Sequence, residues 1–130
     1  MARQKILIVD DDPDDRDLIK QALNECIVAV EVAELDDGSN VLGYLEKHSK
    51  PTFIIVDLNM PIMNGFETLQ EIRSNEKHAK IPVYIFTTSN SLRDKQHCIR
   101  LGATDVFVKP PSYAAWVHTL CALIDNRERA

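Results

Sequence analysis

No apolar stretch in this chain of 130 residues approaches the ~20 residues that a helix needs to span a bilayer. The opening Met1-Ala2-Arg3-Gln4-Lys5 runs directly into a candidate strand, without the apolar segment of a secretory signal. Clustered basic residues are missing too. The 15 Lys and Arg are scattered and the net charge is −5, whereas a nucleic-acid surface gathers cations against phosphates. The densest charge run, Asp10 to Asp17, is acidic. Cysteines are few: Cys26, Cys98 and Cys121 form an odd count with no close pair spacing, which argues against a disulfide framework and for a reducing compartment. His48, His78, His97 and His118 share no metal-ligand spacing and read as surface or packing residues. Linkers and low-complexity segments are absent. The expectation is a soluble cytoplasmic protein with one domain over 1–130, its core over about 5–125 and no output domain. Neither nucleic acid nor membrane is expected among its partners.

What is present is a set of short apolar runs that end at reactive residues. Ile6-Leu7-Ile8-Val9 ends in Asp10-Asp11-Asp12, Phe53-Ile54-Ile55-Val56 ends in Asp57, and Val106-Phe107-Val108 ends in Lys109-Pro110. Runs of this kind read as strands buried on both faces, as in parallel sheets. Ligands of open parallel sheets sit at the carboxyl ends of the strands. Two carboxylate-bearing ends and one ammonium-bearing end therefore describe a pocket for a divalent cation and a phosphoryl group.

Five strands are expected, over 5–9, 28–34, 53–57, 82–87 and 104–108, with helical segments between them. Pro13 suits a first helical turn, and Leu18, Ile19, Ala22, Leu23 and Cys26 then share one face. Gly38-Ser39 opens a second helix bearing Val41, Leu42 and Leu45, and Asn64-Gly65 a third bearing Phe66, Leu69 and Ile72. Ser91 caps a fourth, with Leu92, Cys98, Ile99 and Leu101, and Gly102 stops it. Ser112 caps the last, whose stripe is Trp116, Val117, Leu120, Cys121 and Ile124, and the polar tail from Asp125 to Ala130 is expected to fray. Strict β-α alternation with short connections implies right-handed crossovers and a doubly wound α/β sheet.

These pieces, together with Ile55-Val56-Asp57-Leu58-Asn59-Met60-Pro61, Asn64-Gly65, Pro82 to Thr88, Gly102-Ala103 and Val108-Lys109-Pro110, resemble the receiver domain of bacterial two-component response regulators. The resemblance runs from Ile6 to about Leu123. It implies a flavodoxin-like α/β fold with strand order 2-1-3-4-5, and a phosphoacceptor that assists its own phosphorylation and dephosphorylation without being an enzyme. By the same resemblance Asp57 is the phosphoacceptor, and Asp10 and Asp11 hold Mg²⁺ together with Asp57 and the backbone carbonyl of Asn59. Thr87 and Lys109 engage the phosphoryl oxygens. Mg²⁺ suits such oxygen donors because it takes one or two carboxylates and keeps several waters.

Asp12, Asp14 and Asp15 read instead as the acidic first turn of a helix. The Lys109-Pro110 bond is expected to be cis, as in the family. Asn59 and Ser89 match positions that tune loss of the phosphoryl group; neither is an obvious base, so fast self-hydrolysis is not expected. Thr88 is bulkier than the family's usual residue. Many receivers carry an aromatic that moves inward on phosphorylation, but here that position is Val106. Phe107 points to the opposite face of the strand and cannot take its place.

The implied partners are a sensor histidine kinase or phosphotransfer protein upstream and an unnamed protein target downstream, with the chain a monomer or weak homodimer. A segment at Thr87-Thr88-Ser89-Asn90 also resembles receivers that partner bacterial phytochromes. A haloacid-dehalogenase-like phosphatase would need a second Asp at position 59, and a flavin protein would need small residues where Asp10-Asp11-Asp12-Pro13 stand. A phosphorylation-independent scaffold would have lost one of Asp10, Asp11, Asp57, Thr87 or Lys109, and all five are present.

Overall fold

The Val- and Ile-rich runs do form strands, and they lie side by side in one parallel sheet of order β2-β1-β3-β4-β5 in a computed structural model that describes residues 3–129. The elements are β1 (Gln4–Val9), α1 (Pro13–Asn24), β2 (Val30–Leu35), a 3₁₀ turn (Gly38–Asn40), α2 (Val41–Lys47), β3 (Phe53–Asp57), α3 (Gly65–Ser74), β4 (Val83–Thr87), α4 (Leu92–Arg100), β5 (Asp105–Val108) and α5 (Tyr113–Arg129). The central strands β3 and β4 are buried along their whole length, as continuous apolar runs require. Alternate side chains feed two cores. Leu7, Val9, Ile54, Val56, Val83 and Ile85 face α2 and α3, while Ile6, Ile8, Phe53, Ile55, Tyr84 and Phe86 face α1 and α5.

The helix starts follow their caps. Asp12 accepts from Asp14 N–H with Pro13 beginning α1, Asn64 and Glu67 form a capping box on α3, and Ser91 accepts from Asp94 N–H on α4. Ser112 Oγ accepts from Ala115 N–H at 3.1 Å and opens α5. Gly102 takes φ +106° just past α4, a backbone that L side chains rarely adopt.

Several expectations are corrected. The second helix does open at Gly38-Ser39, but as a 3₁₀ turn capped by the Asp37 carboxylate, and α2 proper begins only at Val41. On α4 only Cys98 is buried; Leu92 and Ile99 stand 67% and 44% exposed because that helix meets the sheet edge on one narrow line. The C-terminal segment stays helical to Arg129 instead of fraying from Asp125, and Ala130 lies outside the described residues. No peptide bond among the described residues is cis, Lys109-Pro110 included.

Cysteine pairing is the largest correction. Cys26, just past α1, and Cys121, midway along α5, are joined in a disulfide with their Cα atoms 5.3 Å apart, and only Cys98 is free. A separation of 95 residues hid the pair, since spacing along the chain says nothing about two helices that pack against each other through Ile19, Leu23, Leu120 and Ile124. Closing so long a loop restricts the unfolded chain. Replacing Cys26→Ser should therefore lower the unfolding free energy of oxidised protein by about 2–4 kcal/mol in urea titrations. The same substitution should change little once wild type is held in dithiothreitol; equal losses in both conditions would mean that the bond does not form.

Candidate functional site

β1 and β3 are neighbours in a register that pairs Val9 with Val56, so the residues that follow, Asp10 and Asp57, emerge side by side at the carboxyl edge of the sheet. Both are buried, with 2% and 6% of their surface exposed, while Asp11 faces solvent. One carboxylate oxygen from each of Asp10, Asp11 and Asp57 lies within 4.8 Å of the others. Behind them, α3 begins very close to the strand end. A Cβ on Gly65 would stand 2.8 Å from both Asp57 O and Leu58 Cα, so only glycine admits this approach.

Lys109 arrives from β5. Its backbone N–H donates to Thr87 O at 2.7 Å, extending the β4–β5 ladder by one bond, and its side chain crosses the strand ends. Lys109 Nζ lies 3.2 Å from Asp10 Oδ2, 3.2 Å from Asp57 Oδ1 and 2.6 Å from Asp15 Oδ2. The aim of the ammonium thus comes from the ladder and from three carboxylates, through a trans bond to Pro110.

Thr87 is buried at the end of β4, and its Oγ1 accepts from Ser89 N–H at 3.0 Å. Ser89 Oγ in turn donates to Asp94 Oδ2 at 2.9 Å. A hydroxyl also carries a proton to donate, so Thr87 can serve an oxyanion while holding the turn into α4. Thr88 and Asn59 are exposed.

Two functional contacts were missed by sequence reasoning. Asp15, read as a first-turn helix charge, is the shortest partner of Lys109. The available signal was helix direction: side chains tilt toward the helix N-terminus, so an acid in the first turn of α1 leans back over the strand ends. Asp37 was not singled out at all. It is buried, accepts from Met63 N–H at 3.1 Å and Ser39 N–H at 3.2 Å, and so fastens the loop after Asp57 to the turn before α2. The aromatic position behaves as expected: Val106 is buried in the core beneath α3 and α4, and Phe107 stacks on Phe86 on the other face, at 5.1 Å between centroids. Trp116 also stacks on Phe86, which makes it core. His48 and His97 stack on Tyr44 and Phe66, in keeping with a packing role.

The charge balance of the pocket is uneven. Burial, and then the neighbouring Asp10 carboxylate, push Asp57 up to about 6 in spite of Lys109. Burial likewise raises Asp10, outweighing the Asp12 N–H and Lys109. Burial works against the Lys109 charge, but the hydrogen bond it donates to Asp15 and the charges of Asp10 and Asp57 hold its pKa above the ordinary lysine value. Hard oxygen donors from three residues, short of positive charge, fit a divalent cation.

Because Asp57 holds its proton more tightly folded than unfolded, its contribution to stability is present below about pH 4 and is lost as the pH rises through about 6. Asp57→Asn should stabilise the metal-free protein at pH 7.5 by about 1–2 kcal/mol, allowing for solvent screening. The gain should shrink toward pH 4.5, and millimolar Mg²⁺ should stabilise wild type but not Asp57→Asn; thermal melts at the two pH values check both.

A family model described as the response regulator receiver domain matches residues 6–120. A chemotaxis protein CheY homolog of Campylobacter jejuni is 30% identical over 106 residues, covering 82% of this chain and 81% of that protein. The phosphorylated cyanobacterial phytochrome response regulator RcpA superposes with a TM-score of 0.85 at 29% identity, covering 95% of this chain and 93% of its own. The Mn²⁺-bound response regulator Rcp1 does so with 0.80 at 26%, covering 92% and 91%. Against several longer relatives, transcriptional regulators by name, the chain spans only 40% to 51% of their length. With the family's strand order, its five helices and its acidic pocket for a divalent metal all in place, the chain belongs to the response regulator receiver domain family, whose members are phosphoacceptor signalling domains.

Proposed function

We propose that this receiver accepts a phosphoryl group on Asp57, in a Mg²⁺-dependent step, from the phosphohistidine of a sensor kinase or phosphotransfer protein. The observation that carries this reading is the meeting of Asp10, Asp11 and Asp57 within 4.8 Å of one another, with Lys109 Nζ 3.2 Å from Asp57. Mg²⁺ held by Asp10, Asp11, Asp57 and the Asn59 carbonyl would supply positive charge against the phosphoryl oxygens. An Asp57 carboxylate oxygen attacks phosphorus, the bond from phosphorus to the donor imidazole nitrogen breaks, and the electron pair leaves with that nitrogen. Little covalent work falls to the protein, because phosphoryl transfer depends on alignment and charge neutralisation. Lys109 and the Thr87 hydroxyl take the oxygens of the transferred group.

The same Thr87 contact gives a route outward. A phosphoryl oxygen that engages Thr87 Oγ1 loads the turn held by Thr87, Ser89 and Asp94, and so biases α4. With valine at 106, this turn carries the coupling that an inward-moving aromatic carries in other receivers. The outcome is a shift of population on the surface of α4, β5 and α5, where Leu92, Ile99, Val108 and Tyr113 are exposed for a protein target.

Incubation with acetyl phosphate and Mg²⁺ should add a single phosphoryl group by intact mass. The adduct should be absent with EDTA and in Asp57→Asn, and should form at least tenfold more slowly in Lys109→Ala. An adduct that persists in Asp57→Asn would place the acceptor elsewhere.

A further inference from the structure

Lys109 has three N–H donors; its Nζ hydrogen-bonds Asp15 at 2.6 Å and Asp10 at 3.2 Å and makes an ion pair with Asp57 at 3.2 Å. These carboxylates differ in what else can neutralise them. Asp10 and Asp57 belong to the set able to hold a cation, and Asp15 does not. Asp15 is also the most accessible of the three, its side chain 30% exposed against 3% for Asp10 and 8% for Asp57. It therefore stands on the solvent side of the ammonium, and it remains a full partner of Lys109 when a metal has taken charge from the other two.

We infer that Asp15 is a positioning residue that restrains the pocket: it holds Lys109 as a competitor of the incoming phosphoryl group, and so slows phosphorylation of Asp57. The inference rests on the reading of Asp57 as acceptor. A phosphoryl oxygen on Asp57 draws on the N–H donors of Lys109, and the hydrogen bonds to Asp15 and Asp10 compete for them. Asp10 and Asp57 are fixed at strand ends, whereas Asp15 sits on the first turn of α1 and is the one that can yield to water. The displaced carboxylate stays close to the phosphoryl group and repels it, at a distance shorter than salt can screen. The restraint is specific to this pair. Asp14, next along the chain and in the same helical turn, is exposed and is not among the carboxylates on Lys109.

The test compares wild type with Asp15→Asn, Asp15→Glu and Asp14→Asn. Phosphorylation by acetyl phosphate with Mg²⁺ is followed by intact mass over a range of donor concentrations. Affinity for beryllofluoride, a phosphoryl mimic that breaks no bond, is measured by fluorine NMR. Asp15→Asn should raise the second-order rate about three- to tenfold and tighten beryllofluoride by a similar factor. Asp15→Glu, which keeps the charge and can still reach Lys109, should fall back toward wild type, and Asp14→Asn should match wild type. In metal-free protein, acylation of Lys109 mapped by peptide mass should be faster in Asp15→Asn and unchanged in Asp14→Asn. A slower or unchanged rate in Asp15→Asn overturns the inference, as does equal acceleration by Asp14→Asn. No adduct and no beryllofluoride binding in any of the proteins would sink the acceptor reading itself, and this inference with it.

Discussion

Four carboxylates and one ammonium share the carboxyl edge of the sheet, and the arrangement persists because strands, not side chains, enforce it. Left to themselves, Asp10 and Asp57 would separate, since like charges near one another in a poorly hydrated place are costly. The β1–β3 ladder holds them together, and Lys109 offsets part of the repulsion from the far side of β4. The pocket is thus built with a deficit of positive charge, which suits it to a divalent cation.

The rest of the fold supplies stiffness to that edge. The two apolar cores lock the strand register from both faces. Gly65 lets α3 start directly behind Asp57, and Asp37 ties down the loop that follows, so the Asp57 carboxylate has little room to move. Arg73 of α3 reaches Gly102 O, Ala79 O and Ile81 O at 2.7–3.0 Å and joins the loops at the opposite end of the sheet. The disulfide between Cys26 and Cys121 fastens α1 to α5, and Phe107 and Trp116 both stack on Phe86 beneath α5. By contrast α4 buries one side chain only, Cys98, and is tied to the site by the short relay of Thr87, Ser89 and Asp94. An element with so few buried contacts is the one a local charge change can move.

Much of this was legible along the chain, and the reason differs from residue to residue. Strands β1, β3 and β4 were readable because burial on both faces demands unbroken apolar runs, and Asp57 because such a run stops there. Lys109 was readable for the same reason, as was the mismatch at Val106, since strand alternation fixes the face from sequence alone. Strand β2 was placed two residues early because an edge strand is half exposed and its apolar signal is weak. The apolar residues of α4 were readable but not the exposure of Leu92 and Ile99, because helical spacing does not say how much of a face is covered.

The sequence by itself determined the order of elements, the parallel sheet and the identity of the groups at its carboxyl edge. Those follow from local rules: apolar period, capping chemistry, and the placement of charge at strand ends. Only the tertiary structure decided which distant groups meet. It paired Cys26 with Cys121, brought Asp15 to Lys109 in place of solvent, set Asp37 on the backbone of Met63 and kept Lys109-Pro110 trans. Each of these depends on the packing of one helix or loop on another, and packing is set by the whole core at once, so no short window of residues contains it.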